Sequence, residues 1–125
     1  MGSRSDSTVI GMNEGIKTVI YPVKDVEKAK GRFRTLMGEP AYELPKVVGW
    51  KIEDQDFVLD GSARHRGLAG PVCYWHVDDV HSSLQALLDA GAELVEPVQD
   101  IGGGGLRAIV KDPEGNAMGL RETAR

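Results

Sequence analysis

The side chains best suited to chemistry sit on one short segment, Val72-Cys-Tyr-Trp-His-Val77. Period-two alternation puts Val72, Tyr74 and His76 on one face and Cys73, Trp75 and Val77 on the other. Val77 and Val80 must meet the helix that follows, so the first face should be the open one. There His76 can act as a hydrogen-bonding group or general base, with Tyr74 beside it. The plainer reading is a half-exposed, structural histidine at a strand end. Asp60, at the end of Phe57–Asp60, could join them in acid–base work. A metal held by His76 with His81 is a poor reading, because five residues across a strand-to-helix turn is an awkward spacing.

Other side chains suggest binding. Trp50, alternating with Val48 and Ile52, is either a stacking platform for a planar ligand or a core residue. Arg107 and Arg121 lie on strand-like segments and could point into a cavity, which alternation alone does not settle. Arg64, His65 and Arg66 form a basic cluster, suited to an anion or simply solvated. Gly102–Gly105 lacks the frame of a phosphate loop and precedes a strand, so it reads as a flexible hairpin or gate. Cys73 should be a small buried hydrophobe against the helix.

The elements that must position these groups occur twice. Tyr21-Pro-Val-Lys-Asp-Val26 recurs as Trp75-His-Val-Asp-Asp-Val80, 54 positions later. The first copy reads as a strand over 16–23, an N-cap at Asp25, and a helix whose apolar stripe is Val26, Ala29, Phe33 and Leu36–Met37, ended by Gly38. The second has a strand over 72–77, Asp79 as N-cap, the stripe Val80, Leu84, Leu87 and Leu88, and Gly91 as C-cap. Three further strands are expected after each helix: Ala41–Leu44, Val47–Glu53 and Phe57–Asp60, then Glu93–Val98, Leu106–Lys111 and Ala117–Arg121. The fold class is therefore α+β, two tandem βαβββ modules forming a curled mixed sheet with a concave ligand groove and the helices outside. Residues 1–15 are expected to be a flexible N-terminal tail. Module 1 spans about 16–60, a linker 61–70, and module 2 about 71–122 of a single domain over 16–122.

Composition bounds the function. A chain of 125 residues with 41% apolar and 27% charged residues is ordinary for one globular domain. A formal charge of -4 argues against nucleic acid as partner. A single cysteine allows no intrachain disulfide, and no apolar run is long enough to span a membrane, so a cytoplasmic protein is expected. Glycine, at 16 residues, is about twice its usual share of ~7%.

The Val-x-Asp-Val junctions (Val23 to Val26, Val77 to Val80), the helix exits at Met37-Gly38 and Ala90-Gly91-Ala92, and Asp112-Pro-Glu-Gly-Asn116 followed by Met118-Gly-Leu120 resemble the vicinal oxygen chelate superfamily. That is the glyoxalase, bleomycin-resistance and extradiol dioxygenase fold, and the likeness covers residues 16–122. It implies four metal-ligand places, which fall here on Thr18, Val72, Gly119 and either Leu59 or Asp60. At most one is a good donor, so the expectation is no metal and no cofactor. What remains resembles the metal-free branch, a homodimeric protein that binds or sequesters a compact hydrophobic or planar small molecule. The expected ligand-binding residues are Thr18, Ile20, Trp50, Leu59, Val72, Tyr74, His76, Arg107 and Gly119, with Ala117 on the same face. If the chain is an enzyme, the resemblance implies a glyoxalase-like lyase, isomerase or epimerase on a substrate with vicinal oxygens, with His76, Tyr74 and Asp60 as catalytic candidates. The third reading is a scaffold or partner-binding module.

Overall fold

The computed structural model describes residues 13–63 and 70–123. These residues form ten elements in the order β1 (Asn13–Pro22), α1 (Val26–Met37), β2 (Tyr42–Leu44), β3 (Val47–Ile52), β4 (Gln55–Asp60), β5 (Val72–Val77), α2 (Val80–Asp89), β6 (Glu93–Gly102), β7 (Gly105–Lys111) and β8 (Ala117–Glu122). The chain is thus α+β, with βαβββ occurring twice in tandem. It divides into two compact units, 16–73 and 74–123, the latter taking 13–15 with it. β1 already starts at Asn13, so residues 13–15 are strand rather than tail. The Arg64, His65 and Arg66 cluster lies outside the described residues.

In the first unit the strand order is β2-β3-β4-β1, with β1 and β4 parallel and the other pairs antiparallel. Asp25 caps α1 by accepting from the Lys28 N–H at 3.1 Å. The helix ends at Gly38, whose φ of 80° suits glycine and whose N–H donates to the Arg34 carbonyl at 2.8 Å. Val26, Ala29, Phe33 and Met37, spaced by three and four, turn onto the strands and meet Tyr21, Val23, Val48, Trp50, Phe57 and Leu59. Phe33 lies 5.3 Å from Tyr21 and 4.9 Å from Phe57, ring centre to ring centre, within the range of favourable aromatic pairs. Leu36, expected in the stripe, is 78% exposed, because it lies about 100° around the helix from Met37.

The second unit repeats the plan in the order β5-β8-β7-β6, with β5 and β8 parallel and the remaining pairs antiparallel. Asp79 caps α2 through the Ser82 N–H at 3.1 Å. A second carboxylate joins it from β8, where Glu122 Oε1 accepts from the Val80 N–H at 2.9 Å. Two of the helix's otherwise unpartnered first-turn donors are therefore satisfied. Val80, Leu84 and Leu87 of α2 pack on Trp75, Val77, Val98, Leu106, Ala108 and Leu120. Cys73 shares the parity of Trp75 and Val77, as expected, yet it is exposed rather than buried. The α2 core begins at Trp75 and does not reach the start of β5. The glycine run makes a tight hairpin in which Gly102 pairs with Gly105, and Gly103 and Gly104, both at positive φ, form a two-residue turn matching the strand twist.

A candidate binding face on the second module

Each unit has one strand face under its helix and one turned away from it. In the second unit Trp75, Val77, Ala108 and Leu120 lie under α2. Adjacent paired residues share a face, so register assigns the other one. Tyr74 pairs with Gly119, and Gly119 with Ile109. His76 pairs with Arg121, Arg121 with Arg107, and Arg107 with Gln99. Two rows therefore cross the face turned away from α2. One is Tyr74, Gly119 and Ile109, and the other is His76, Arg121, Arg107 and Gln99.

The expected members Val72, Tyr74, His76, Arg107, Ala117 and Gly119 all belong to this face. Tyr74 is buried, and a Cβ built on Gly119 would lie 2.6 Å from its ring. Glycine is required there by close approach, whatever ancestry supplied it.

Arg107 is held in place by two neighbours from β6. Its Nη2 donates to Gln99 Oε1 at 3.3 Å, and its Nε lies 3.9 Å from Glu96 Oε1, beyond hydrogen-bond reach. Glu96 is itself 8% exposed. Alternation from Leu94, which pairs with Val110 on the α2 side, would have put Glu96 under the helix. Register shifts on either side of Glu96 pair it with Ile109 instead and turn it toward Arg107. Such a bulge leaves no clear mark in the sequence beyond the neighbouring Pro97.

In the first unit the face turned away from α1 carries Thr18, Ile20, Pro22, Val58 and Asp60, by the pairings Thr18 with Asp56, Ile20 with Val58 and Pro22 with Asp60. Leu59 and Trp50 are corrections. Leu59 pairs with Tyr21 and Val48, is fully buried, and packs against Ala29 of α1. Trp50 is 2% exposed in the same cluster, and its Nε1–H donates to the Gly38 carbonyl at 2.8 Å. Neither reaches the face turned away from α1, because the register puts both under the helix. Asp60 is buried and its Oδ1 accepts from the Ser62 N–H at 2.8 Å and the Ser62 hydroxyl at 2.6 Å. Those bonds close the turn after β4.

A concavity of about 240 Å³ lies beside α1, lined by Val19, Phe33, Leu36, Met37, Ile52 and Phe57. Lys17 at its rim is engaged by Asp54 at 3.5 Å. No expected site residue borders it.

The four places where the superfamily would set metal ligands do not fit a divalent ion. Val72 has no donor atom, Gly119 is covered by the Tyr74 ring, and Leu59 faces α1. Asp60 is bonded to Ser62, and along β1 its partner Pro22 is four residues, about 13 Å, from Thr18. His81, the other candidate, is exposed on the first turn of α2. Among the described residues no group of three or more His, Cys, Asp or Glu side chains is placed to hold a metal ion.

No family sequence model and no curated protein matches this chain. Solved structures do. One described as a glyoxalase/bleomycin resistance protein/dioxygenase superfamily member from Vibrio splendidus 12B01 aligns with a TM-score of 0.66 at 17% identity, over 89% of this chain and 99% of that one. Methylmalonyl-CoA epimerase from Mycobacterium tuberculosis aligns at 0.67 and 15%, over 94% and 93%. A protein described as an NAD-dependent benzaldehyde dehydrogenase from Legionella pneumophila aligns at 0.68 and 14%, over 85% and 97%. The chain has the vicinal oxygen chelate fold. Names this varied on one fold show why function has to come from the site.

Proposed function

We propose that this chain is a small-molecule-binding protein of the glyoxalase/bleomycin-resistance type that works without the superfamily's divalent ion. Its ligand lies on the face of β5, β8, β7 and β6 turned away from α2, at the half-buried His76 and Arg107, with Tyr74 and Gly119 buried in the adjoining row. The observation that supports this is the register, which gathers an aromatic ring, a histidine and two arginines on one face of a four-stranded unit. The reading also takes the protein to be a cytoplasmic homodimer. Exposed apolar side chains such as Leu44 on the edge strand β2 are consistent with a second copy covering an edge.

An epimerase or isomerase of the kind found among the structural neighbours would need acid and base groups on either side of one substrate carbon. On this face the carboxylate nearest the row, Glu96, stands three strands from His76, about 14 Å between backbones, and the Tyr74 side chain beside His76 is buried. That separation favours binding over proton transfer between the two.

Thermal-shift screening of a metabolite and antibiotic library tests the reading. A binder at a hundredfold excess over Kd stabilises by about 2.7 kcal/mol, and His76→Ala should weaken that gain without unfolding the protein. Silence across the library would favour a scaffold. A tightly held Ni, Zn, Mn or Fe in protein purified without chelator would overturn the metal-free part, and turnover lost in His76→Ala would favour the enzyme.

A further inference from the structure

Arg107 and Arg121 stand directly opposite each other on antiparallel strands, on the same face. Opposed residues bring their Cβ atoms to about 4.5–5.5 Å, where like charges repel. His76 continues the row on the other side of Arg121. The whole chain is acidic, with a formal charge of -4, so this concentration of cations runs against its general charge.

Compensation is incomplete. Glu96 is the carboxylate beside the row, and it addresses Arg107, at 3.9 Å. Arg107 Nε is buried with no hydrogen bond among the described residues. Arg121 is half-buried, and its guanidinium has no ion pair or hydrogen bond among the described residues. At the far end of β7 the charges do balance, since Lys111 meets Glu93 at 3.7 Å. Two guanidinium groups, only one of them addressed by a carboxylate, leave a net positive charge on a face that also carries a buried aromatic ring.

Resting on the binding reading above, we infer that the ligand carries an oxyanion, a carboxylate or a phosphate, and that Arg121, with Arg107 beside it, is the group that holds it. A guanidinium presents parallel N–H donors that match two oxygens of either anion, and a bound oxyanion would screen the repulsion between the two arginines.

The test is titration of ¹⁵N-labelled protein with sodium phosphate and with sodium malonate, against sodium chloride at matched ionic strength, followed by amide shifts. Saturable shifts centred on residues 107 and 121, weakened about tenfold or more in Arg121→Gln and partly kept in Arg121→Lys, support the inference. The tighter of the two anions then names the source. Shifts equal to those in chloride overturn it. If a neutral aromatic such as benzamide still shifts Tyr74 and Gly119 in that case, the binding reading survives while the oxyanion is lost. Silence from all three probes counts against both. Dispersed spectra of both variants exclude loss of fold as the cause.

Discussion

The ring of Tyr74 lies across Gly119, on the neighbouring parallel strand, so closely that a single added carbon at position 119 would sit 2.6 Å from it. Glycine at position 119 is thus a packing requirement. A larger side chain cannot be placed there without moving a buried aromatic.

Gly119→Ala should destabilise the protein by about 1–3 kcal/mol, the usual penalty of overpacking a tight site. Tyr74→Leu removes the obstructing ring, so the double variant should lose less than the two single losses added together. Urea denaturation of the four proteins measures this. Strict additivity would show that the two residues do not compete for space.

Glu122 ties β8 to the start of α2 through the Val80 N–H. Glu122→Ala should cost about 1–2 kcal/mol, as loss of a helix N-terminal acceptor does. Glu122→Gln keeps an acceptor oxygen and gives up only the favourable charge at the helix N-terminus, about 0.3–1 kcal/mol. Equal losses in the two variants, read by thermal denaturation, would mean the hydrogen bond contributes nothing.

Asp79 is held below its usual pKa of 3.8, first by the Ser82 backbone N–H and then by the Ser82 hydroxyl. A depressed folded value means that its contribution is present above about pH 4 and lost as pH falls through the folded pKa. The gap in Tm between the parent and Asp79→Ala, visible at pH 7, should therefore narrow between pH 4 and pH 2. Asp112, lowered first by the Asn116 backbone N–H, should show the same trend in Asp112→Ala. A gap that stays constant over that range would rule out the charged cap as its origin.

Trp50→Phe removes the 2.8 Å bond to the Gly38 carbonyl and part of the α1 core. The expected loss is about 1–3 kcal/mol in stability. Affinity for any ligand found by screening should stay within about twofold of the parent, well under the tenfold that 1.4 kcal/mol represents. A large affinity change with little loss of stability would return Trp50 to the binding surface.

What could be read without coordinates was local and repeated. Asp25 and Asp79 as caps, the stripes Val26, Ala29, Phe33 and Val80, Leu84, Leu87, and the recurrence of Tyr21–Val26 as Trp75–Val80 all depend on spacing along the chain. They were enough for two βαβββ modules and for the parity of Tyr74 and His76. Parity, however, does not say which face a helix will cover. Only the pairing of Leu59 with Tyr21 and of Trp50 with Phe57 assigned those two to the α1 core. A bulge can also reverse parity midway along a strand, as it does in turning Glu96 toward Arg107. The opposition of Arg107 and Arg121 belongs to the same class. It depends on register between strands joined through a turn, and register is decided where side chains pack.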